Sequence, residues 1–171
     1  MEKIFYTTKP DLTTKLVLNK ILSKWYDKND AEIFRTEHGK PYVKDGPFFS
    51  VTHTCGRLYI AFSDREIGLD AESLQRKPRY TSIVKKFPPA EQAEIRCAED
   101  FLKHWVVKES AVKYMGGTLD ADLSKLQYVN GMLTYQDEEF PAKITLLRHE
   151  EFILSVCGNG RFDNPLFVEV V

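Results

Sequence analysis

The dipeptide Asn130-Gly131 limits the fold of this chain more than any other short feature of the sequence. It separates two four-residue runs, LQYV and MLTY, whose composition suits strands. Asn-Gly is the preferred dipeptide of a type I′ turn, and such a two-residue connection joins only antiparallel neighbours. A second pair of runs, AKITLLR and FILSVCG, also has the pattern of a hairpin. The sequence therefore predicts antiparallel sheet in its last third.

The rest of the chain alternates between strand and helix patterns. KIFYT near the start alternates as a strand does, and apolar residues then recur at helical spacing to about Tyr26, with Asp11 as the candidate cap. FFSVTH, RLYIAFS and EIGLDAE have strand patterns, whereas residues 37–47, EHGKPYVKDGP, have loop and turn composition. Residues 88–117 are strongly helical, as one helix or two, and stop at Gly116-Gly117. This order predicts an α+β fold with mainly antiparallel sheet.

Length and composition set limits on the class of protein. The 171 residues match one domain, residues 1–171, with approximate halves 1–79 and 80–171 that each contain a helix and strands. The net charge of −1 argues against a general nucleic-acid or anionic-membrane binder, and no apolar run reaches membrane-spanning length. The start MEKIFYTTKP has no apolar core of a signal peptide. The three cysteines lack C-x-x-C spacing, so we expect reduced structural thiols in the cytoplasm.

The run EIGLDAES, residues 66–73, carries two carboxylates in an otherwise strand-like pattern. Alternate side chains of a strand share a face, so Gly68, Asp70 and Glu72 lie opposite the apolar residues of the run. One interpretation is an ordinary solvated face. The other is a divalent-cation site, where the glycine leaves room for a group to approach the backbone.

The helical stretch supplies a third carboxylate. On a helical wheel, Phe101, Trp105 and Val112 form an apolar stripe, and Glu109 points toward the protein, with Lys113 one turn further. A Glu–Lys pair at this spacing is usually a surface pair. On a buried side, however, the carboxylate needs a counter-charge.

A metal ion shared with the strand would supply that charge. Asp70, Glu72 and Glu109 offer only oxygen ligands, with no cysteine or clustered histidine, and this set favours Mg²⁺, which also takes phosphate oxygens. Candidate phosphate-binding groups are Lys40, His53, Lys108 and Lys113. Alone, each is typical of an ordinary loop or structural residue.

The sequence motifs of several other common enzyme classes are missing from the sequence. The chain has no G-x-x-x-x-G-K-[ST] and no G-x-G-x-x-G, which argues against a P-loop nucleotidase and a Rossmann dehydrogenase. HEE at 149–151 lacks the histidine pair of a zinc protease, and Ser110 has no histidine at helical reach.

Five blocks of the sequence together resemble the signature of the Sfp-type 4′-phosphopantetheinyl transferases, across about residues 34–158. They are, in order, GKP (39–41), FSVTHT (49–54), IGLDAE (67–72), FPPAE (87–91) and WVVKESAVK (105–113). The resemblance implies that family's fold, with two pseudo-duplicated halves of helix plus mainly antiparallel sheet, of which the first is shortened here. It also implies Mg²⁺-dependent transfer of 4′-phosphopantetheine from coenzyme A to a serine of an acyl- or peptidyl-carrier protein, with release of 3′,5′-ADP.

The same resemblance implies roles for single residues. Asp70, Glu72 and Glu109 would hold the metal against the coenzyme A pyrophosphate, and Glu109 would act as general base, directly or through water. Lys113 would contact the pyrophosphate and assist the leaving group. The remaining implied contacts are Thr52 and His53 with the phosphates, Lys40 with the adenine or 3′-phosphate, Lys108 with the phosphate region, and Glu91 in support of the site.

The chain also departs from the family pattern. The usual N-terminal basic cluster for the 3′-phosphate is mostly absent, and only a helix with Lys15, Lys20 and Lys24 precedes GKP. Three consequences are open: coenzyme A binds more weakly, Arg35 or Lys40 takes a larger share of the contact, or another chain completes it. FPPAE has prolines and VTHT has a threonine where the family commonly has other residues. The fused halves favour a monomer, and the short first half leaves a dimer open.

Two alternatives to the active transferase follow from the same residues. One is a catalytically idle relative that binds coenzyme A or a carrier protein, and the other is a Mg²⁺-dependent phosphodiesterase. The carrier contact is expected near residues 76–86, RKPRYTSIVKK, which is otherwise typical of a solvated basic segment.

Overall fold

Two sheets, each packed against one long helix, make up most of the protein. The computed structural model describes residues 2–9 and 12–171. Its helices are α1 Thr14–Tyr26, α2 Thr81–Val84, α3 Pro89–Gln92, α4 Ala98–Met115 and α5 Leu119–Asp122. Its strands are β1 Lys3–Thr7, β2 Ile33–Arg35, β3 Pro41–Val43, β4 Phe48–Thr54, β5 Arg57–Ser63, β6 Ile67–Ser73, β7 Leu126–Val129, β8 Met132–Tyr135, β9 Glu138–Glu139, β10 Ile144–His149, β11 Phe152–Gly158 and β12 Leu166–Glu169. The mixture of helices with mainly antiparallel sheet confirms the predicted α+β class.

The first sheet packs on α1. Its order is β12-β1-β5-β4, and only the β12–β1 pair is parallel. The Thr13 hydroxyl accepts a hydrogen bond from the Leu16 amide and so caps α1, whereas the predicted cap Asp11 lies outside the described residues. Buried Leu18 and Leu22 of α1 contact Phe5 and its neighbours in the sheet, because the helix has one apolar stripe.

The second sheet packs on α4. Its order is β10-β11-β6, all antiparallel, and β6 pairs with β11 so that Asp70 lies opposite Ser155. The sheets therefore do not divide at residue 79, because β6 joins the second sheet and β12 joins the first. The helical stretch forms two helices, α3 and α4. Cys97 caps the start of α4, and Gly116, in the left-handed conformation, caps its end.

The predicted tight turns are present, and one predicted loop contains a strand. Asn130 and Gly131 both have positive φ angles, of 51° and 78°, in the hairpin between β7 and β8. Within residues 37–47, which have loop composition, Pro41–Val43 forms β3 and pairs with β2. None of the described helices is long and apolar enough to cross a membrane.

The two sheets meet along a seam between β4 and β6. Three alternate residues of β4, Ser50, Thr52 and Thr54, are buried and carry hydroxyl groups. Ser50 Oγ accepts from the Leu69 amide at 2.9 Å, and Thr52 donates to Asp70 at 2.8 Å. Side-chain hydrogen bonds therefore join these two strands, and the candidate site lies on this seam.

Candidate active site

The acidic face of β6 is covered by α4 rather than by solvent. Ile67, Leu69 and Ala71 point into the hydrophobic core, as the alternation predicts, while Asp70 on the opposite face is only 4% exposed. The solvated interpretation of this face is therefore wrong. Gly68 also has a different role from the one expected. A Cβ there would lie 1.8 Å from the Ser110 carbonyl oxygen, so the group that approaches the backbone is α4 and not a ligand.

Asp70 is held by two donors. Thr52 Oγ1 donates to Oδ1 at 2.8 Å, and Lys113 Nζ donates to the same oxygen at 2.7 Å. Burial raises the pKa of Asp70, while the Lys113 ammonium and the Thr52 hydroxyl act in the opposite direction. Lys113 Nζ also donates to the Leu69 carbonyl at 3.1 Å. The ammonium thus lies against the strand that carries the two acids.

Glu72 is bound by a residue that the sequence analysis did not assign to the site. Arg76 Nη1 lies 2.6 Å from each carboxylate oxygen of Glu72, and Thr54 donates to Oε2 at 3.0 Å. The alternation Ser50, Thr52, Thr54 in FSVTHT was the available signal for the hydroxyl contacts, because a strand with polar residues on a buried face needs partners.

Glu109 lies on the protein side of α4, as the helical wheel predicts. Its side chain is 20% exposed, and its Oε2 lies 4.0 Å from Lys113 Nζ. Burial, and next the negative charge of Asp70, raise the pKa of Glu109 to about 7; Glu72 adds to this, and Lys113 opposes it. The three carboxylates therefore repel one another across a small space, and a cation placed there would relieve the repulsion.

The donor set of these carboxylates fits a hard divalent cation. Among the described residues, no group of three or more acidic, histidine or cysteine side chains is already arranged as a metal cage. Mg²⁺ does not require one, since it usually takes one or two carboxylates and fills its remaining positions with water and phosphate oxygens. The oxygens of Asp70, Glu72 and Glu109 are thus the type of ligand that Mg²⁺ takes, and Lys113 and Arg76 contact the first two of these carboxylates.

A cavity of about 520 Å³ opens beside Lys113. This volume is in the range of small-molecule sites. Its polar lining is rich in cationic and imidazole groups, namely Lys15, Arg35, His38, Lys40, His53 and Lys113. Leu18, Ile33 and Val51 supply apolar surface. The cavity therefore suits a ligand with both an apolar part and several negative charges.

Besides Lys113, two of the predicted phosphate contacts, Lys40 and His53, line this cavity. Lys40 Nζ reaches Glu66 at 2.6 Å and the Ile67 carbonyl at 3.2 Å, beside the start of β6. His53 shares a 3.0 Å hydrogen bond with Thr14 Oγ1, and burial together with Lys113 lowers the pKa of His53. Thr52 instead directs its hydroxyl to Asp70, so it supports a carboxylate.

Lys108 lies elsewhere. Its side chain is fully buried, and its ammonium donates to Glu91 Oε2 at 2.6 Å, donates to the Leu126 carbonyl and lies over the Phe87 ring. This placement does not support the predicted contact of Lys108 with phosphate, because its position on the helix faces away from the cavity. Glu91 also contacts His104 Nδ1 at 3.0 Å. We therefore assign Lys108 and Glu91 to the interior that supports α4.

Comparisons with known proteins match the part of the chain that carries β6 and α4. Residues 66–157, from β6 to β11, match the family model described as the 4′-phosphopantetheinyl transferase superfamily. The chain is 29% identical over 119 residues to 4′-phosphopantetheinyl transferase Sfp of Bacillus subtilis, covering 63% of this chain and 52% of that protein. It is 27% identical over 139 residues to a Synechocystis protein named for the same activity, covering 73% and 56%. The chain thus spans about half the length of these curated relatives.

Proposed function

The chain belongs to the 4′-phosphopantetheinyl transferase superfamily, and on that premise we propose that it transfers the 4′-phosphopantetheine group of coenzyme A to a serine of an apo acyl- or peptidyl-carrier protein. The observation that carries this proposal is the position of Glu109. This carboxylate lies near two further acids, and its Oε2 is 4.0 Å from Nζ of Lys113, a residue that lines the cationic cavity. A base, a metal site and an anion-binding cavity in one place are the parts that transfer at phosphorus requires.

In this proposal, Asp70, Glu72 and Glu109 hold Mg²⁺, which when bound neutralises the coenzyme A pyrophosphate and polarises it for attack. Glu109 takes the proton of the carrier serine, directly or through water. The serine oxygen forms a bond to the phosphorus that carries pantetheine, and the pyrophosphate P–O bond breaks. Lys113 stabilises the negative charge on the departing 3′,5′-ADP.

The cationic lining of the cavity supports a role in holding coenzyme A. We assign Lys40 and His53 to its phosphates, with Lys113 at the pyrophosphate end. A neutral His53, favoured by its lowered pKa, would donate or accept a hydrogen bond rather than supply charge. Lys15 and Arg35 line the same cavity and are further candidates for the 3′-phosphate.

The carrier protein is assigned to the exposed basic segment 76–86 on charge grounds. This segment holds five Lys or Arg residues and no acid, and it begins four residues after Glu72. Carrier domains are acidic, so opposite charges would steer them to this side. We further propose that the protein is a monomer. We also propose a cytoplasmic location, which the three free cysteines support.

The experiment that tests the function is a mass measurement. The purified protein is incubated with coenzyme A, Mg²⁺ and a panel of apo carrier domains, and intact masses are recorded. We expect one phosphopantetheine on at least one carrier, and its loss with EDTA or with Glu109→Gln. Coenzyme A binding without any modified carrier would instead indicate an idle relative, and 3′,5′-ADP release without a carrier would indicate a hydrolase.

A further inference from the structure

Arg76 covers one of the carboxylates assigned to the metal. A single nitrogen, Nη1, lies 2.6 Å from Oε1 and 2.6 Å from Oε2 of Glu72. That nitrogen occupies the notch between the two oxygens, from which a divalent cation would chelate the carboxylate. Thr54 uses a further acceptor position on Oε2. Three of about four acceptor positions of Glu72 are therefore already engaged by protein donors.

The two halves of this ion pair differ in how firmly they are held. The Glu72 side chain is 12% exposed on β6, where its backbone pairs with Ile153 of β11. The Arg76 side chain is 48% exposed and lies in the turn after the strand. Because the guanidinium already contacts water, it can leave Glu72 without opening the core, whereas Glu72 is fixed in place.

We propose that Arg76 is a removable cap on Glu72 that competes with the divalent cation and lowers the affinity of the free protein for it. The inference rests on the proposed function, since it concerns the same carboxylate. Without a metal, the guanidinium neutralises Glu72 and limits its repulsion of the neighbouring acids. When the cation binds, Arg76 turns toward solvent and Glu72 becomes a ligand.

Titration of the protein with Mg²⁺ alone, followed by calorimetry, tests the cap. Arg76→Gln should bind Mg²⁺ about threefold to fivefold more tightly than the wild type, as expected for the loss of a competing ion pair of this exposure. Arg79→Gln is the matched control. It removes the same charge from the same exposed segment, and Arg79 has no ion pair within the described part of the chain. The control should change the affinity by less than twofold.

Equal affinities of the wild type and Arg76→Gln, or equal gains in both variants, would overturn the cap. Weaker binding by Arg76→Gln would also overturn it, because Arg76 would then assist the metal. The same titrations on Asp70→Asn and Glu109→Gln test the site itself. If these two bind as the wild type does, the metal assignment of the proposed function fails. If no variant binds Mg²⁺, with or without coenzyme A, both the cap and the assignment are refuted.

Discussion

Gly68→Ala should disrupt the packing of α4 on β6. The added Cβ would lie 1.8 Å from the Ser110 carbonyl oxygen and 2.6 Å from the Tyr114 amide nitrogen. These atoms are the acceptor and donor of one helical hydrogen bond, so neither can rotate away as a side chain would. An ordinary contact begins near 3.4 Å, and α4 would therefore have to retreat by about 1.6 Å.

The expected cost follows from this displacement. Overpacking of a core typically costs about 1–3 kcal/mol, and a clash with backbone belongs at or above the upper end. We expect Gly68→Ala to lower the free energy of unfolding by about 3 kcal/mol or more. The retreat would also lengthen the 2.7 Å contact between Lys113 and Asp70, so transfer activity should fall even where the variant is folded.

Urea unfolding measures the effect, and Gly158→Ala is the matched control. Gly158 lies on the neighbouring strand β11 opposite Ile67, and its added Cβ would come no closer than 3.3 Å to the Glu66 carbonyl. We expect the control to lose less than about 1 kcal/mol. Equal losses in the two variants, or a loss below about 1 kcal/mol for Gly68→Ala, would show that α4 is free to move away from β6 and would refute the argument.

Three further results are expected. The first concerns pH. Below pH 4.5, Glu109 is protonated and places no charge in the site. As the pH rises from there toward the folded pKa of about 7, the free energy of unfolding of the metal-free wild type should fall relative to that of Glu109→Gln, by at most about 3 kcal/mol, as measured by urea titrations at several pH values. A difference that grows in the opposite direction would contradict the raised pKa. Lys108→Met should lower the free energy of unfolding by about 3–5 kcal/mol, because it leaves Glu91 buried without its cation. The affinity for coenzyme A should nevertheless stay within twofold of the wild type. A large loss of affinity at unchanged stability would indicate that Lys108 binds phosphate after all. Asp70→Asn should lower Mg²⁺-dependent transfer by about 100-fold or more with little change in the melting temperature, and retained transfer at saturating Mg²⁺ would remove Asp70 from the ligand set.

Local chemistry made most elements predictable. The hairpin at Asn130-Gly131, the stop of α4 at Gly116 and the strand Lys3–Thr7 depend on neighbouring residues, and the structure has all three. β3 was missed because it is three residues long and begins at a proline. β12 was missed because its partner β1 lies more than 150 residues away in the chain, and no local pattern records such a pairing.

The candidate site was predictable to the extent that periodicity controls it. The two-residue period of β6 and the helical period of α4 brought Asp70 and Glu109 to the same side. The phosphate contact of Lys108, which the resemblance implies, is not supported, because Glu91 of α3 holds the Lys108 ammonium in the interior. Arg76 was likewise missed as a partner of Glu72, because a turn sets its direction.

Two strands from the first half of the chain, β1 and β6, pair with strands near its end, and these distant pairings affect how the chain folds. β6 is made early but has its backbone partner in β11, about 80 residues later, and β1 has β12 at the far end of the chain. During synthesis from the N-terminus, the acidic strand therefore leaves the ribosome well before the strand that completes its hydrogen bonding. Such distant pairings slow folding and leave edges exposed to aggregation. We expect neither half, expressed alone, to fold, and we expect mixing the two halves to restore structure only if β6 and β11 find each other.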